Sequence, residues 1–340
     1  MATRGAERGG GRMSAEVYVT GVLTQDRSTL SRAITLIESR RSDDRVLARE
    51  VMGRLLARGK QAHRIGITGV PGAGKSTLID RLASGCLDAG QRVAVLAVDP
   101  SSGRTGGSLL GDKTRMARLA GHGRAFVRPS PSSGALGGVS FRTHEAISLC
   151  EAAGYDTVFV ETVGVGQAEV AVVEMIDTFV LVTLPGAGDE LQAVKRGVLE
   201  LADVIVVNKA EDANRVAARS ALRVHASAMH LLRPRTAGWQ VPVYCCSAQQ
   251  DVGVGEIASA VGDHRQLLEE SGQWAAARCE QRASWMWRTI EGELLRSFRA
   301  DPGIRGALEG IEMAVRGGDC SSDAGAAALL ETFARSRART

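Results

Sequence analysis

The stretch GVPGAGKST, residues 69–77, decides the fold. Its first eight residues match the pattern G-x-x-x-x-G-K-[ST] in full, with the strand-like run RIGIT before it and the helical run STLIDRLASGCL at 76–87. In this strand–loop–helix context the glycines let the backbone wrap an anion, so that N–H groups point at phosphate oxygens. We expect Lys75 to reach the β- and γ-phosphates and Ser76 to ligate Mg²⁺. The predicted nucleotide-binding residues of this loop are Gly69, Val70, Pro71, Gly72, Ala73, Gly74, Lys75, Ser76 and Thr77.

Short apolar runs bounded by turn signals continue outward from this loop. Six of them, at 64–68, 93–98, 157–160, 178–183, 204–207 and 241–246, are rich in β-branched residues, and helical patterns lie between most of them. Continuous apolar runs are typical of strands buried on both faces. Strands that alternate with helices predict βαβ units. The expected fold class is therefore α/β, a doubly wound and mostly parallel P-loop NTPase sheet with N-terminal and C-terminal helical extensions.

Length and composition set the domain prediction. The 340 residues are 44% apolar, which is enough for one large α/β domain. Residues 1–23 are expected to be a disordered tail, with Met1 or Met13 as the start. Residues 24–60 are expected to form an N-terminal helical extension and 61–255 the P-loop domain. The helical patterns of 256–340 predict a C-terminal extension that carries apolar stripes and serves in dimerisation.

Charge and cysteine content narrow the class of partner. The 42 basic and 38 acidic residues leave a net charge of +4, a small excess that does not favour nucleic acid. No run approaches the ~18 apolar residues of a membrane helix, and no secretory signal is visible. The six cysteines form no Cys-x-x-Cys pair and are expected to be buried free thiols. A cytoplasmic protein with no membrane and no nucleic-acid partner is the expectation.

Acidic residues follow two of the predicted strands. Asp99 closes the second run, Asp112 comes after a Gly-rich loop, and Glu161 closes the run TVFV. Because the carboxyl ends of parallel strands face the ligand crevice, Ser76, Asp99, Asp112 and Glu161 are the predicted magnesium ligands. Lys75, Glu161 and Asp112 are the candidate catalytic residues. The backbone N–H of Gly164 is expected to approach the γ-phosphate and to sense hydrolysis.

A further loop follows the fourth run. It contains Asp189, Glu190, Gln192 and Lys195 in the stretch LPGAGDELQAVK. The two carboxylates suit the positive end of a helix, and a capping role alone would account for them. The functional interpretation is a switch that carries the nucleotide state to a partner.

The segment VVNKAEDA, residues 206–213, resembles the guanine signature Asn-Lys-x-Asp with glutamate at the fourth position. In that signature the carboxylate accepts hydrogen bonds from N1–H and the exocyclic amine of guanine, a donor pair that adenine lacks. Glu211 keeps the charge on a stem one methylene longer. With Ser247 and Ala248 after the last strand, Asn208, Lys209 and Glu211 make guanine the expected base.

These motifs together resemble the MeaB/ArgK-type P-loop GTPases. The resemblance rests on ITLIESRR (34–41), GVPGAGKST (69–77), VDPSSGRTGGSLLGDKTRM (98–116), ETVGVGQAE (161–169), PGAGDELQAVKRG (185–197) and VNKAE (207–211). It implies a homodimeric GTPase that uses GTP and Mg²⁺. It also implies a chaperone role, in which the protein gates cofactor delivery to an adenosylcobalamin-dependent acyl-CoA mutase and protects that enzyme. An adenosyltransferase is a further candidate partner. The sequence departs from the family pattern at Glu211, where aspartate is usual.

Two other functions remain open from the residues alone. A metallochaperone GTPase would need His and Cys clusters, and the six histidines are scattered. A small-molecule kinase or transport-linked ATPase would need an acceptor pocket with a base, for which the sequence shows no separate candidate.

Overall fold

A computed structural model describes residues 13–39, 41–56, 60–99, 116–131, 136–162, 168–186 and 196–338 of the chain. The chain divides into two compact units, Met1–Arg278 and Cys279–Thr340. The C-terminal extension had been expected from residue 256. The observed division differs because helix Val254–Glu270 buries Ile257, Ala260 and Val261 in the core of the first unit.

The first unit contains a seven-stranded parallel sheet. Its strands are β1 (His63–Gly69), β2 (Val93–Asp99), β3 (Ala125–Pro131), β4 (Thr157–Thr162), β5 (Thr178–Thr183), β6 (Val204–Val207) and β7 (Val243–Cys245). They lie in the order β3-β2-β4-β1-β5-β6-β7, and every pairing is parallel. The predicted α/β fold with a doubly wound parallel sheet is confirmed.

Strand β3 is an element that the sequence pattern did not predict. It lies at the edge of the sheet, where prolines and charged side chains are tolerated. Arg128 of β3 donates to Glu38 at 2.8 Å, and both side chains are largely buried. The strand was missed because an arginine and two prolines break its apolar run.

Helices of the described residues precede, connect and follow the strands. They are α1 (Ala15–Leu23), α2 (Arg27–Glu38), α3 (Ser42–Leu56), α4 (Lys75–Asp88), α5 (Ala117–Ala120), α6 (Leu136–Ala152), α7 (Ala168–Val173), α8 (Arg196–Leu199), α9 (Arg215–Met229), α10 (Val254–Glu270), α11 (Gln273–Ala300), α12 (Pro302–Gly317) and α13 (Ser322–Arg337). None of these described helices combines the length and apolar character that a membrane span requires.

Helix α1 corrects the expected extent of the N-terminal tail. The tail was expected to reach residue 23, but α1 begins at Ala15, with the Ser14 hydroxyl accepting from the Val17 N–H as its N-cap. Tyr18, Val19 and Val22 are buried against the core. Burial of this apolar face orders a segment that composition alone had assigned to the tail.

Ion pairs are buried near the amino-terminal end of the sheet. Arg64 makes a forked pair with Glu151, at 2.8 Å from Nε and 2.6 Å from Nη2. Arg278 makes a second fork with Asp177, at 2.8 Å from Nε and 2.7 Å from Nη2, and also reaches Glu151 at 3.1 Å. All four residues are buried, so each charge depends on its partner.

The second unit is helical. Phe298 and Phe333 contact each other edge to face, with ring centroids 5.2 Å apart. Asp301 caps α12 by accepting from the N–H groups of Gly303 and Ile304, and it also accepts from the Ser336 hydroxyl. These hydrogen bonds hold the pKa of Asp301 below its usual value.

Candidate nucleotide site

The glycine loop joins the central strand to the N-terminus of α4. Strand β1 lies between β4 and β5, and its seven residues are all buried. At Gly69 the backbone has a φ of +148°, and a Cβ there would collide with the carbonyl oxygen of Val182 on β5. Gly74, with a φ of +86°, begins α4 in the left-handed conformation. Glycine is therefore required at both ends of this turn.

Lys75 lies inside the glycine loop, and its contact with phosphate stays a prediction. Its side chain is buried, and the ammonium donates to the carbonyl oxygens of Gly69 at 2.9 Å and Val70 at 3.2 Å. A buried ammonium beside a helix N-terminus is an electrostatic setting that favours anions, so the loop is a candidate phosphate site.

Ser76 and Glu161 meet at the end of the neighbouring strand. The Ser76 hydroxyl donates to Glu161 Oε1 at 2.7 Å, because β4 pairs with β1 in the register that places Glu161 opposite Ile67. One hydroxyl and one carboxylate oxygen are hard donors of the kind that Mg²⁺ prefers, so this pair fits the predicted metal. The backbone of β2, next to β4, ends at Asp99.

Asn208 connects the glycine loop to the two loops predicted to contact the base, which follow β6 and β7. We call these two the base-side loops. Its Nδ2 donates to the Ala73 carbonyl at 2.7 Å, and its Oδ1 accepts from the Ala248 N–H at 3.0 Å. The residue is buried, and the space a side chain at Gly74 would need is filled by its amide. Asn208 therefore fixes the base-side loops relative to the phosphate loop.

Glu211 is held by the loop that follows β7. The Ser247 hydroxyl donates to Glu211 Oε1 at 2.7 Å and accepts from the Gln250 N–H at 3.2 Å. Lys209 adopts a positive φ of 59°, an uncommon conformation for a residue with a side chain. The two segments that the sequence assigned to base recognition thus lie together.

Cys246 contacts this candidate site, although its apolar surroundings in the sequence indicated only a buried thiol. Its Sγ donates to Asn208 Oδ1 at 3.3 Å. Burial, reinforced by the neighbouring Cys245, raises the pKa of the Cys246 thiol to about 12. The thiol therefore keeps its proton near neutral pH and stays a donor. In the sequence, only its position directly before Ser247 indicated that Cys246 lies at this site.

A second contact that the sequence did not reveal lies beneath the glycine loop. The Thr162 hydroxyl donates to the Thr68 hydroxyl at 2.7 Å, and both side chains are buried. The contact joins the ends of β4 and β1, directly next to Gly69 and Glu161. It holds the carboxylate strand against the phosphate strand.

The remaining predicted site residues lie outside the described residues. They are Asp112, Gly164, Asp189, Glu190, Gln192 and Lys195, together with the side chain of Asp99. Their roles as metal ligands, sensors and partner switches stay predictions.

Comparison with known proteins agrees with the motifs. Residues 30–303 match the family model described as methylmalonyl-CoA mutase-associated GTPase MeaB. A Mycobacterium tuberculosis protein named "Probable GTPase" is 50% identical over 312 residues, covering 92% of this chain and 93% of its own. The Escherichia coli protein named GTPase ArgK is 44% identical over 276 residues, covering 81% and 83%.

A mitochondrial relative and a solved structure extend the match. The mouse protein named methylmalonic aciduria type A homolog is 42% identical over 324 residues, covering 92% of this chain and 78% of its own. The crystal structure titled LAO/AO transport system kinase is similar with a TM-score of 0.74 at 34% identity, covering 93% of this chain and 96% of that one. The resemblance drawn from the motifs is confirmed.

Proposed function

The chain belongs to the MeaB family of methylmalonyl-CoA mutase-associated GTPases, and from this premise we propose that it hydrolyses GTP to GDP and phosphate as the chaperone of an adenosylcobalamin-dependent acyl-CoA mutase. The observation that carries the proposal is the position of Asn208. Its amide donates to the Ala73 carbonyl of the phosphate loop and accepts from Ala248 of the base-side loop. A site built in this way holds a base and a phosphate chain at a fixed separation.

Guanine is the proposed base because Glu211 presents a carboxylate beside this link. Its two oxygens accept hydrogen bonds, and guanine offers two adjacent donors where adenine offers none in the same place. Ser247 occupies one acceptor position of Oε1, which leaves lone pairs on both oxygens for the base.

Hydrolysis is proposed as in-line attack of water on the γ-phosphate. Lys75 and the backbone N–H groups of the loop stabilise the charge that develops on the phosphate oxygens. Ser76 and Glu161 would hold Mg²⁺, with Asp99 and Asp112 completing the ligand set. The metal would neutralise phosphate charge when bound. Gly164 is proposed to sense the γ-phosphate.

The mutase is proposed as the partner that reads the nucleotide state. The family description supports this assignment, and the loop with Asp189, Glu190, Gln192 and Lys195 is the proposed contact. The protein would gate delivery of adenosylcobalamin and protect the mutase, with an adenosyltransferase as a further candidate partner.

A homodimer is proposed from the apolar side chains of α11. Trp287, Ile290 and Leu294 follow one another at helical spacing and are exposed, with Trp287 exposed by 60%. A row of exposed large apolar residues on one helix favours association, and a second copy of the same helix would cover it. Light scattering on the Leu294→Glu variant tests this: a dimer that survives unchanged contradicts this interface.

The decisive experiment is steady-state hydrolysis of GTP, with ATP as the comparison, in the presence and absence of an adenosylcobalamin-dependent acyl-CoA mutase from the same genome. We expect slow GTP-selective turnover that rises when the mutase is added. Lys75→Ala should abolish it, whereas Lys60→Ala, an exposed lysine paired with Asp156, should leave it unchanged. ATP turnover without a response to the mutase would overturn the proposal and favour a kinase or transport ATPase.

A further inference from the structure

Arg81 of helix α4 binds the loop that follows β7. Its Nε donates to the Ala248 carbonyl at 3.1 Å, and its Nη2 donates to the Gln249 carbonyl at 3.0 Å. A third bond joins Nη1 to Asp251 Oδ2 at 3.0 Å. The Arg81 side chain is only 16% exposed, whereas that of Asp251 is 53% exposed. The bond to the Ala248 carbonyl is partly buried, whereas the bonds to the Gln249 carbonyl and to Asp251 lie at the surface.

The orientation of one peptide transmits this contact to Ser247. The carbonyl of Gln249 and the N–H of Gln250 belong to the same planar trans peptide, so they point in opposite directions. Arg81 takes the carbonyl side, and the N–H side donates to the Ser247 hydroxyl at 3.2 Å. A peptide held on both sides cannot flip without losing two hydrogen bonds.

The Ser247 hydroxyl links this peptide to Glu211. Because its oxygen accepts from the Gln250 N–H, its own proton is directed to Glu211 Oε1 at 2.7 Å. The result is a chain of hydrogen bonds that runs from the guanidinium, through one peptide and one hydroxyl, to the carboxylate. Such chains strengthen each member by mutual polarisation.

The need for such a chain follows from the length of the Glu211 side chain. A glutamate has one more rotatable bond than an aspartate, and ordering it costs more conformational entropy. A carboxylate held in place before the base arrives loses less on binding. Asn208 does not hold the Glu211 side chain in place, since its own side chain contacts Ala73, Ala248 and Cys246.

We propose that Arg81 is a positioning residue for guanine recognition, which sets the orientation of Glu211 through the Gln249–Gln250 peptide and Ser247. The proposal rests on the proposed function, since it takes guanine as the base. Arg81 also joins helix α4 to the loop that follows β7, because it lies six residues after Lys75 on that helix.

The test compares three diphosphates that differ in what Glu211 can bind. GDP offers N1–H and the 2-amino group, IDP offers N1–H alone, and ADP offers neither. Affinities of GDP, IDP and ADP are measured by competition with a fluorescent guanine nucleotide or by calorimetry, with the full chain and Mg²⁺. For Arg81→Ala we expect GDP affinity to fall roughly tenfold, the effect of about one hydrogen bond. The affinity for IDP should fall less, and the affinity for ADP should be unchanged.

Two further variants keep the test decisive. Ser247→Ala interrupts the chain while Arg81 keeps its carbonyl contacts, and we expect the same graded loss, with no additional loss in the double variant. If Arg81→Ala fails to fold, Arg81→Lys keeps a cation without the fork and should show part of the effect. Arg265→Ala, which removes an arginine paired with Glu269 on α10, is the matched control and should leave all three affinities unchanged.

The outcomes separate the two proposals. A native protein that binds ADP as tightly as GDP overturns the guanine assignment and this inference with it. A native protein that prefers GDP, with an Arg81→Ala variant that loses all three nucleotides in parallel or loses none, overturns only the role of Arg81. Graded loss in the order GDP, IDP, ADP supports it.

Discussion

Replacing Glu211 by glutamine should turn the base site from guanine towards xanthine. In the native chain Ser247 donates its proton to Glu211 Oε1, since the same hydroxyl accepts from Gln250. In Glu211→Gln the amide oxygen is expected to take the place next to Ser247, because only an acceptor there satisfies the hydroxyl proton. The amide NH₂ then faces the base, where the native protein presents an oxygen.

The magnitude follows from the hydrogen bonds that change. Guanine loses one bond to a charged acceptor, worth about 1.5–3 kcal/mol, and its 2-amino group faces another donor. A total of about 3 kcal/mol corresponds to a loss of GDP affinity of roughly 100-fold. Xanthine carries an oxygen in place of the 2-amino group, so XDP should gain an acceptor–donor pair and bind the variant better than the native protein.

The assay is equilibrium competition of GDP and XDP against a fluorescent nucleotide, for the native protein and Glu211→Gln. Glu269→Gln is the control, since Glu269 is a half-exposed glutamate that pairs with Arg265 on α10. A Glu211→Gln variant that binds GDP within about threefold of the native protein would refute the reasoning. It would mean that Glu211 does not contact the base.

Three more predictions follow from buried groups. Burial lowers the pKa of His63 to about 3. The folded protein therefore keeps His63 neutral, while the unfolded chain protonates it below its ordinary pKa of 6.5. The free energy of unfolding is thus unaffected by His63 above pH 6.5 and falls by about 2 kcal/mol by pH 5. His63→Gln should flatten that part of the pH dependence in urea unfolding, and an unchanged slope would contradict it. Asp177→Asn leaves the buried Arg64 and Arg278 to share the single carboxylate of Glu151 and should cost about 3–5 kcal/mol in denaturant unfolding; a loss under about 1 kcal/mol would show that the Asp177 carboxylate is dispensable. Gly74→Ala collides with Asn208 and should abolish nucleotide binding, whereas Gly72→Ala, with open space at its Cβ, should cost only about 1–2 kcal/mol of backbone strain; equal effects in nucleotide titrations would argue against the collision.

Much of the fold was predictable because the signals are local. Buried parallel strands are continuous apolar runs, and six of the seven strands were found in that way. Strand β3 was missed because it lies at the edge, where Arg128 can pair with Glu38 and prolines do no harm. Helix α1 was missed because only packing against the core orders it.

The candidate nucleotide site was likewise predictable only where its residues are close together in the sequence. A phosphate loop is made by consecutive residues, so its motif and the strand before it were enough to place Lys75 and Ser76. The pairing of Ser76 with Glu161, 85 positions apart, could be expected from the rule that carboxyl ends of parallel strands share an edge. That rule predicts proximity without saying which atoms meet.

The sequence by itself determined the fold class and the family, and it located the glycine loop and the two segments predicted to contact the base, because contiguous residues carry these signals. Only the tertiary structure decided that Asn208 joins both loops, that the Cys246 thiol supports it, and that Arg81 reaches carbonyls 167 and 168 positions further along the chain. The physical reason is that such contacts depend on the distance between elements and on the direction of single peptide groups. An arginine on a helix carries no mark in the sequence of the carbonyl oxygens that it will bind.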